Sequence, residues 1–553
     1  VIHYYNDKCN KGIINKDNKK YIENIKEELK VFAKLGMCSF IAYMGNLVRW
    51  CWDNDIPVSP NRGSVGGSTI AYILDIIDID PVIWNTIFSR FANEHRKELG
   101  DIDLDFIPRQ RPMVFEHIKN EMPPDKTSRI LSMGTIANLN CIEIICKGLK
   151  KRWFNENKQY NISKDEDICP YSLRMERIIK KEFTDNSDMA REKYPDVFYY
   201  YNGLIGTNIS QQYHNAGIIV SPITLTDNYG TFCGVDSDGN EIDILQLNMD
   251  EAHDVCLVKY DILGLNTLGI VYDAYKLAGK KYPRTYHVNF NDKEVFDEIK
   301  RYPIGIFQFE GDFSHSLLKN YDIQTVNDMT LCNAALRPSG TSYRDRLMNH
   351  EFNHNPSEEI DELLKENRGF LVYQEDTIKF LTDICGLSGG DADNVRRAIG
   401  HKNYEKLNDA LPQILDGYCN MSKQPRSIAE EEAKQFLKVI EDSASYQFGF
   451  NHSTGYSVLG YYCGELRRYH TLEFVTSYLS NAEKQEDFIN GENLAKFKGI
   501  SINNPIFRKS KGEYFFDKDT NSIYKGIGSI KFMNNQVGDD LYKLKDNTYN
   551  IGM

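Results

Sequence analysis

The chain has no Cys-x-x-Cys pair, no apolar run near the ~20 residues of a membrane-spanning helix, and no leader-like start. Without paired spacing, its twelve cysteines read as reduced thiols of an intracellular protein, not as a disulfide framework or a zinc ribbon. No membrane partner is expected, and the expected compartment is the cytoplasm. The sequence opens on Val1, and the expectation is a processed product or a fragment of a longer chain. Positive charge is in deficit: 79 acidic residues against 66 basic ones give a formal charge of −13. That balance argues against a passive nucleic-acid coat, yet it leaves room for an enzyme that grips DNA through a local basic groove. There is no internal repeat and no low-complexity linker. What is present is ordinary, with 41% hydrophobic and 26% charged residues over 553 positions. That length suits roughly two to four domains, each with its own core.

The chemistry begins at residues 100–106, Gly-Asp-Ile-Asp-Leu-Asp-Phe. On a strand, successive side chains point to opposite faces, so Asp101, Asp103 and Asp105 share one face while Ile102, Leu104 and Phe106 anchor the other. Aspartate is a poor strand former, and stacked carboxylates repel one another. Such a strand asks for a cation, and Mg²⁺ with oxygen ligands is the natural candidate. A solvated edge strand is the competing reading.

Residues 19–54 read as two helices broken near Gly36, with core stripes Ile22, Ile25, Leu29, Phe32 and then Phe40, Met44, Leu47, Val48. The loop Pro60–Ser68 is rich in glycine and opens a helical pattern over 69–77. Backbone N–H groups at a helix N-terminus can cradle phosphate, although a plain turn has the same composition. Residues 126–205 read as mostly helical. Within them Lys147, Lys150, Lys151, Arg152 and Trp153 form a basic cluster that fits either a phosphate backbone or a solvated helix face.

His214 precedes a strand-like run and reads as a structural hydrogen bonder, with ligand or general acid as the other option. At 255–263, Lys259 and Asp261 lie two apart on an apolar strand and so share a face. Burying them unpaired would cost several kcal/mol, which points to a site. Asp261 can add a carboxylate to the first strand's set, and Lys259 can neutralise phosphate beside it. Further on, Ser388 and Asp391 suit a capping box, Gly400 a helix stop, and the helix between carries Arg396 and Arg397, either a guanidinium grip on polyphosphate or a surface pair. A long amphipathic helix is expected to run from Phe448–Ser457 through Arg468. The last 50 residues read as the start of a further small domain.

Taken in order, these blocks resemble the polymerase core of the bacterial family C replicative DNA polymerases, the alpha subunit of DNA polymerase III. They are Arg62-Gly63-Ser64, Phe91–Arg96, the Asp-x-Asp-x-Asp strand, Met133-Gly134-Thr135, His214–Gly217 and Val258–Leu265, then Phe307–Glu310, Leu336-Arg337-Pro338, Tyr373-Gln374-Glu375, the arginine pair and Phe448–Ser453. The resemblance spans nearly the whole chain. It implies an α+β multidomain fold: a nucleotidyltransferase-type palm from 1–125 and 206–270, a mostly helical thumb over 126–205, and mostly helical fingers over 271–500. Residues 501–553 are expected, on the same resemblance, to be the start of a C-terminal domain that the chain does not complete.

The resemblance also implies that Asp103, Asp105 and Asp261 are the catalytic metal ligands for two Mg²⁺ ions, with Asp101 outside the ligand set. Gly63, Ser64, Lys259, Arg396 and Arg397 are implied to bind the nucleotide triphosphate. The implied partners are primer-template DNA, deoxynucleoside triphosphates, and other replisome proteins or a chain carrying the missing modules. The implied activity is template-directed extension of a primer 3′-hydroxyl. Alternatives on the same residues are a template-independent nucleotidyltransferase, an RNA polymerase, or a catalytically dead replisome scaffold.

The chain departs from the family pattern in places. Asn451-His452-Ser453-Thr454 stands where the family has Asn-Lys-Ser-His, and His401 precedes Lys402 where a lysine is usual. The histidine-rich phosphoesterase domain, the clamp-binding tail, the oligonucleotide-binding module, the Gram-positive zinc insertion and a proofreading exonuclease pattern are not seen. With the extra lysine, asparagine and tyrosine, this suggests a divergent branch, with a viral source among the expectations and the cytoplasm of a bacterium or an infected host cell as its place.

Overall fold

The structure, a computed structural model, describes residues 1–95, 100–157, 168–236, 239–443, 447–507 and 509–544, without the side chains of residues 338 and 339. Arg96 of the Phe91–Arg96 block, part of the basic stretch (158–167) and the end of the chain (545–553) lie outside the described residues. The fold is mixed α and β with helices predominating. It divides into two units, Val1–Ile118 with Tyr260–Met553, and Lys119–Lys259. The strands are β1 (Asp103–Phe106), β2 (Thr127–Thr135), β3 (Asn208–Val220), β4 (Thr231–Val235), β5 (Glu241–Leu245) and β6 (Val258–Gly264), then three short ones, β7 (Ser501–Asn503), β8 (Phe515–Asp517) and β9 (Ser522–Tyr524).

In the larger unit, helices Lys20–Lys34 and Cys38–Asp53 break at Gly36, whose φ of +69° suits glycine. The buried face of the first helix is Tyr21, Ile25, Glu28 and Phe32, while the expected Ile22 and Leu29 are 37% and 39% exposed. The stripe is therefore rotated and carries an acid into the core. The helix after the glycine loop is only Thr69–Ile73 and does not reach Ile77, because Asp75 turns to φ +65°. Asp75 is fixed there by Lys8 at 2.7 Å and Arg284 at 2.8 Å.

The first carboxylate strand is shorter than its sequence pattern. β1 begins at Asp103, and Asp101 precedes it as an exposed residue. β1 pairs in parallel with β6, and Leu104, Phe106 and Ile262 anchor the pair in the core at 0–2% exposure. Val58 bridges Phe106 on the other side, and the Ser59 N–H donates to the Asp105 carbonyl at 3.1 Å.

Helix Phe450–Tyr469 lies at the centre of the main hydrophobic core, not on its surface. Val458, Leu459, Tyr461, Tyr462, Cys463 and Leu466 are at most 1% exposed, which corrects the expected amphipathic helix. Helices Lys293–Arg301, Val326–Ala335 and Thr471–Ser480 surround it. A separate cluster built from Ile360, Ile378, Phe380, Ile414, Tyr418 and Phe436 holds the helices that carry Arg396 and Arg397. Ser388 accepts from the Asp391 N–H at the start of that helix, and Gly400 is its last residue. Strands β7, β9 and β8 form a small sheet in that order.

In the smaller unit the strand order is β3-β2-β5-β4, with β2 antiparallel to β3 and parallel to β5. The described part of 126–205 is mostly helical, as expected, and β2 at its start is the element the sequence did not foresee. Its neighbours β3 and β5 supply a ladder that local propensity does not foresee. Helices Asn138–Glu156, Leu173–Asp185 and Pro195–Leu204 pack around Cys141, Ile145, Ile179, Val197 and Phe198. All twelve cysteines are free. Among the described residues no single helix is long and apolar enough to cross a membrane.

Candidate active site

The β1–β6 register sets Asp103 directly opposite Asp261 and Asp105 opposite Leu263. Register partners on paired strands point to the same face, so Asp103, Asp105 and Asp261 share one face. Asp105 is wholly buried and Asp261 nearly so, at 7%. Burial raises the Asp105 carboxyl above the usual carboxylate range, against the pull of Arg62 and a Ser59 hydrogen bond. Ser59 Oγ donates to Asp105 Oδ2 at 3.2 Å, and Arg62 Nη1 donates to Oδ1 at 3.0 Å. Arg62 Nε also stands 3.9 Å from Asp103 Oδ2. Burial works against the charge of Arg62, yet Asp105, Tyr456 and Asp103 together hold its pKa above the ordinary arginine value.

The glycine loop lies against these carboxylates. Gly63 adopts φ +73° and ψ −157°, and a Cβ there would sit 3.4 Å from Asp103 Oδ2. Its N–H donates to His452 Nδ1 at 3.1 Å. Burial, then Arg62 and Arg337, pushes His452 down to about 4, so the imidazole is neutral and accepts this bond. Tyr456, one helical turn on, accepts from Arg62 Nη1 at 2.7 Å, and burial and Asp105 push its hydroxyl up to about 12. Asn451 Nδ2 bonds the Ser64 and Ile87 carbonyls, each at 3.2 Å. Helix Phe450–Tyr469 thus fastens the loop at both Gly63 and Ser64.

The short helix that follows the loop does not offer a phosphate cradle, which corrects the sequence reading. Its N-terminal N–H groups are taken. The Glu28 carboxylate accepts from Thr69 N at 2.7 Å, Ile70 N at 3.0 Å and Ser68 Oγ at 2.7 Å. Burial pushes Glu28 up to about 7 despite these bonds.

Arg396 and Arg397 share one fully buried carboxylate, Asp393, at 2.8–2.9 Å. Burial lowers the Arg396 pKa, with Asp393 opposing and the nearby Arg90 adding repulsion. Gln374 Oε1 accepts from Arg90 Nε at 2.8 Å and Arg396 Nη1 at 3.4 Å. Arg396 and Arg397 thus share Asp393, and Arg90 approaches Arg396 through the shared Gln374 oxygen. Next to Gln374, Glu375 caps the helix of Asn451 by accepting from Phe450 N at 2.8 Å. The arginine cluster and the loop are joined through this cap. No direct contact joins Arg396 or Arg397 to Asp103 or Asp105 among the described residues.

Lys259 falls in the smaller unit, two residues before Asp261 on β6. In that unit the basic cluster lies on helix Asn138–Glu156, where Lys147 pairs with Glu143 at 2.6 Å and Arg152 with Glu156 at 2.8 Å. His214 Nδ1 accepts from Gly217 N at 2.9 Å, a structural hydrogen bond.

Oxygen donors on one face fit a hard divalent cation, and Arg62 shows that the face already holds positive charge. Among the described residues no three His, Cys, Asp or Glu side chains stand in metal-holding geometry. Both oxygens of Asp105 are engaged by Ser59 and Arg62. A cavity of about 840 Å³ in the larger unit, lined by Tyr72, Trp84, Tyr286, Tyr373 and Glu375, includes none of the three aspartates.

Sequence reasoning missed Arg62, Ser59, Arg90, His452 and Tyr456 as working parts, and Glu28 as the helix cap. The signal for Glu28 was an acid at helical spacing between Ile25 and Phe32. For Arg62 and His452 it was their place inside the blocks already matched.

Comparison with known proteins places the chain in a family. Residues 1–264 match the family described as bacterial DNA polymerase III alpha NTPase domain, and residues 266–422 match the bacterial DNA polymerase III alpha subunit finger domain. The chain belongs to the bacterial DNA polymerase III alpha family. It is 27% identical to DNA polymerase III subunit alpha of Aquifex aeolicus, over 96% of this chain and 47% of that protein. The Ureaplasma parvum protein is 28% identical over 95% of this chain and 53% of its own length, and that of Vibrio cholerae 27% over 93% and 45%. The chain spans about half the length of the curated relatives it matches. These relatives are bacterial, and the expectation of a viral source gains no support from them.

Proposed function

We propose that this chain is the polymerising part of a template-directed DNA polymerase that extends a primer 3′-hydroxyl with deoxynucleoside triphosphates. The observation that carries the reading is the β1–β6 register, which sets Asp103 beside Asp261 with Asp105 on the same face and the Gly63 loop against Asp103. Divalent ions, Mg²⁺ in the first instance, would supply charge neutralisation for phosphoryl transfer when bound by Asp103, Asp105 and Asp261. The chain's own residues orient and exclude. Gly63 and Ser64, fixed by His452 and Asn451, hold the triphosphate, and Arg396 and Arg397, joined by Arg90, neutralise it from the other side. Lys259 belongs to the same proposal through its place on β6. Palm (1–125 and 206–270), thumb (126–205) and fingers (271–500) are the proposed division. The fingers are supported by the family matched over 266–422. Primer-template DNA is the proposed macromolecular partner, with Lys147, Lys150, Lys151 and Arg152 as a candidate backbone contact.

The test is primer extension by the purified chain with Mg²⁺, comparing deoxynucleotides with ribonucleotides on defined templates. Incorporation should follow the template, and Asp103→Ala or Asp105→Ala should each lower it by about 10³-fold or more. Full activity in either variant sinks the assignment. Template-independent addition or a preference for ribonucleotides would move it to another nucleotidyltransferase class.

A further inference from the structure

Arg62 does something that the proposed reaction does not ask of it. Its guanidinium bonds Asp105 Oδ1 at 3.0 Å and approaches Asp103 Oδ2 at 3.9 Å, so it lies across two of the carboxylates proposed to take a divalent cation. A cation at Asp105 Oδ1 would stand within a few ångströms of the Arg62 guanidinium, and the like charges would repel. The arrangement is also built to let go. The Arg62 side chain is 31% exposed, it makes a single contact with each carboxylate and not a bidentate fork, and Tyr456 Oη accepts from the same Nη1 at 2.7 Å. If the carboxylate contact opens, the guanidinium keeps a partner and reaches solvent. The Gly63 backbone follows directly in the chain and carries the N–H that His452 holds, so Arg62 is anchored beside the loop.

We propose that Arg62 is an exchangeable internal counter-ion that competes with a divalent cation for Asp105 and Asp103. The inference rests on the reading of those carboxylates as cation ligands. Cation binding then displaces Arg62 toward Tyr456 and leaves a guanidinium beside the Gly63-Ser64 loop. Arg62 is a positioning residue in this account, because it acts through the carboxylates and the loop.

The experiment is Mn²⁺ titration of the purified chain, without DNA or nucleotide, following free Mn²⁺ by electron paramagnetic resonance. R62Q should bind Mn²⁺ about tenfold more tightly than the unaltered chain, since a charge a few ångströms from the ligands is removed. R62K, which keeps the charge but loses the planar reach to Asp105, should fall between them. D105N should weaken Mn²⁺ binding in the presence or absence of Arg62. Circular dichroism establishes that each variant is folded, and if R62Q is not, R62K decides by the same criterion. Equal Mn²⁺ affinity with and without Arg62, while D105N still weakens it, overturns the competition and leaves the site reading intact. Mn²⁺ binding indifferent to D105N overturns both.

Discussion

Two arginines of the larger unit face carboxylates in opposite ways. Arg467 is wholly buried, and all five of its N–H groups are engaged, by Glu298 Oε1 at 2.8 and 3.1 Å and by the carbonyls of Tyr302, Ile304 and Glu298. Burial lowers its pKa, and Glu298 resists that shift. Arg62 is part-exposed, makes one bond of 3.0 Å to a carboxylate, and shares that nitrogen with a tyrosine. The first arrangement leaves no donor to spare and closes the seam between helices Lys293–Arg301 and Phe450–Tyr469. The second leaves donors available and sits on the face that carries the proposed chemistry. A guanidinium that fills every bond is scaffold, and one that leaves bonds open can exchange partners.

The comparison breaks most visibly at Arg467. R467A would leave Glu298 buried with Lys498 and, at 4.0 Å, Arg301 as its remaining cations, and urea unfolding should show a loss of about 3–5 kcal/mol. A loss under about 1 kcal/mol would mean that Lys498 and Arg301 compensate Glu298. R62Q, by contrast, should cost no more than about 1 kcal/mol in the same assay. If the two losses are similar, the distinction between fixed and exchangeable arginines fails.

Glu28 sharpens the contrast through pH. Its folded pKa, about 7, lies above the ordinary value of 4.5. Below both values the acid is protonated in folded and unfolded chains, and it has no effect on stability. Between them the folded state retains a proton that the unfolded state has released, so stability falls as pH rises, levelling off above 7. The total is about 3 kcal/mol. E28Q should lack this component, and stability curves of the two proteins should diverge between pH 4.5 and 7. Parallel curves would place the carboxylate's titration in the ordinary range.

The smaller effect is at the loop. G63A must force a side chain into φ +73°, ψ −157°, a region that is essentially restricted to glycine, at about 1–3 kcal/mol. The Cβ itself would meet Asp103 Oδ2 at an ordinary 3.4 Å, so the cost is backbone strain and not a clash. Thermal melting should fall by a few degrees, and primer extension should fall further than stability does. An unchanged melting point would show that the loop relaxes freely.

The sequence by itself determined the alternation Asp103-Leu104-Asp105-Phe106, the Lys259–Asp261 spacing, the Gly36 break and the capping residue Ser388. Each depends on neighbours within a turn or on strand alternation, which the backbone enforces locally. The alternation alone placed Asp101 on the same strand face, and the structure instead leaves it exposed ahead of β1. Only the tertiary structure decided that Asp261 stands opposite Asp103, because register between strands so far apart in the chain is set by how the core packs. It alone joined Arg62 to Tyr456 and gave the helix N-terminus after the glycine loop to Glu28 instead of a phosphate. It also turned an expected amphipathic helix into the buried axis of the core. Those outcomes depend on which surfaces meet, and local propensity carries no information about partners that arrive from hundreds of residues away.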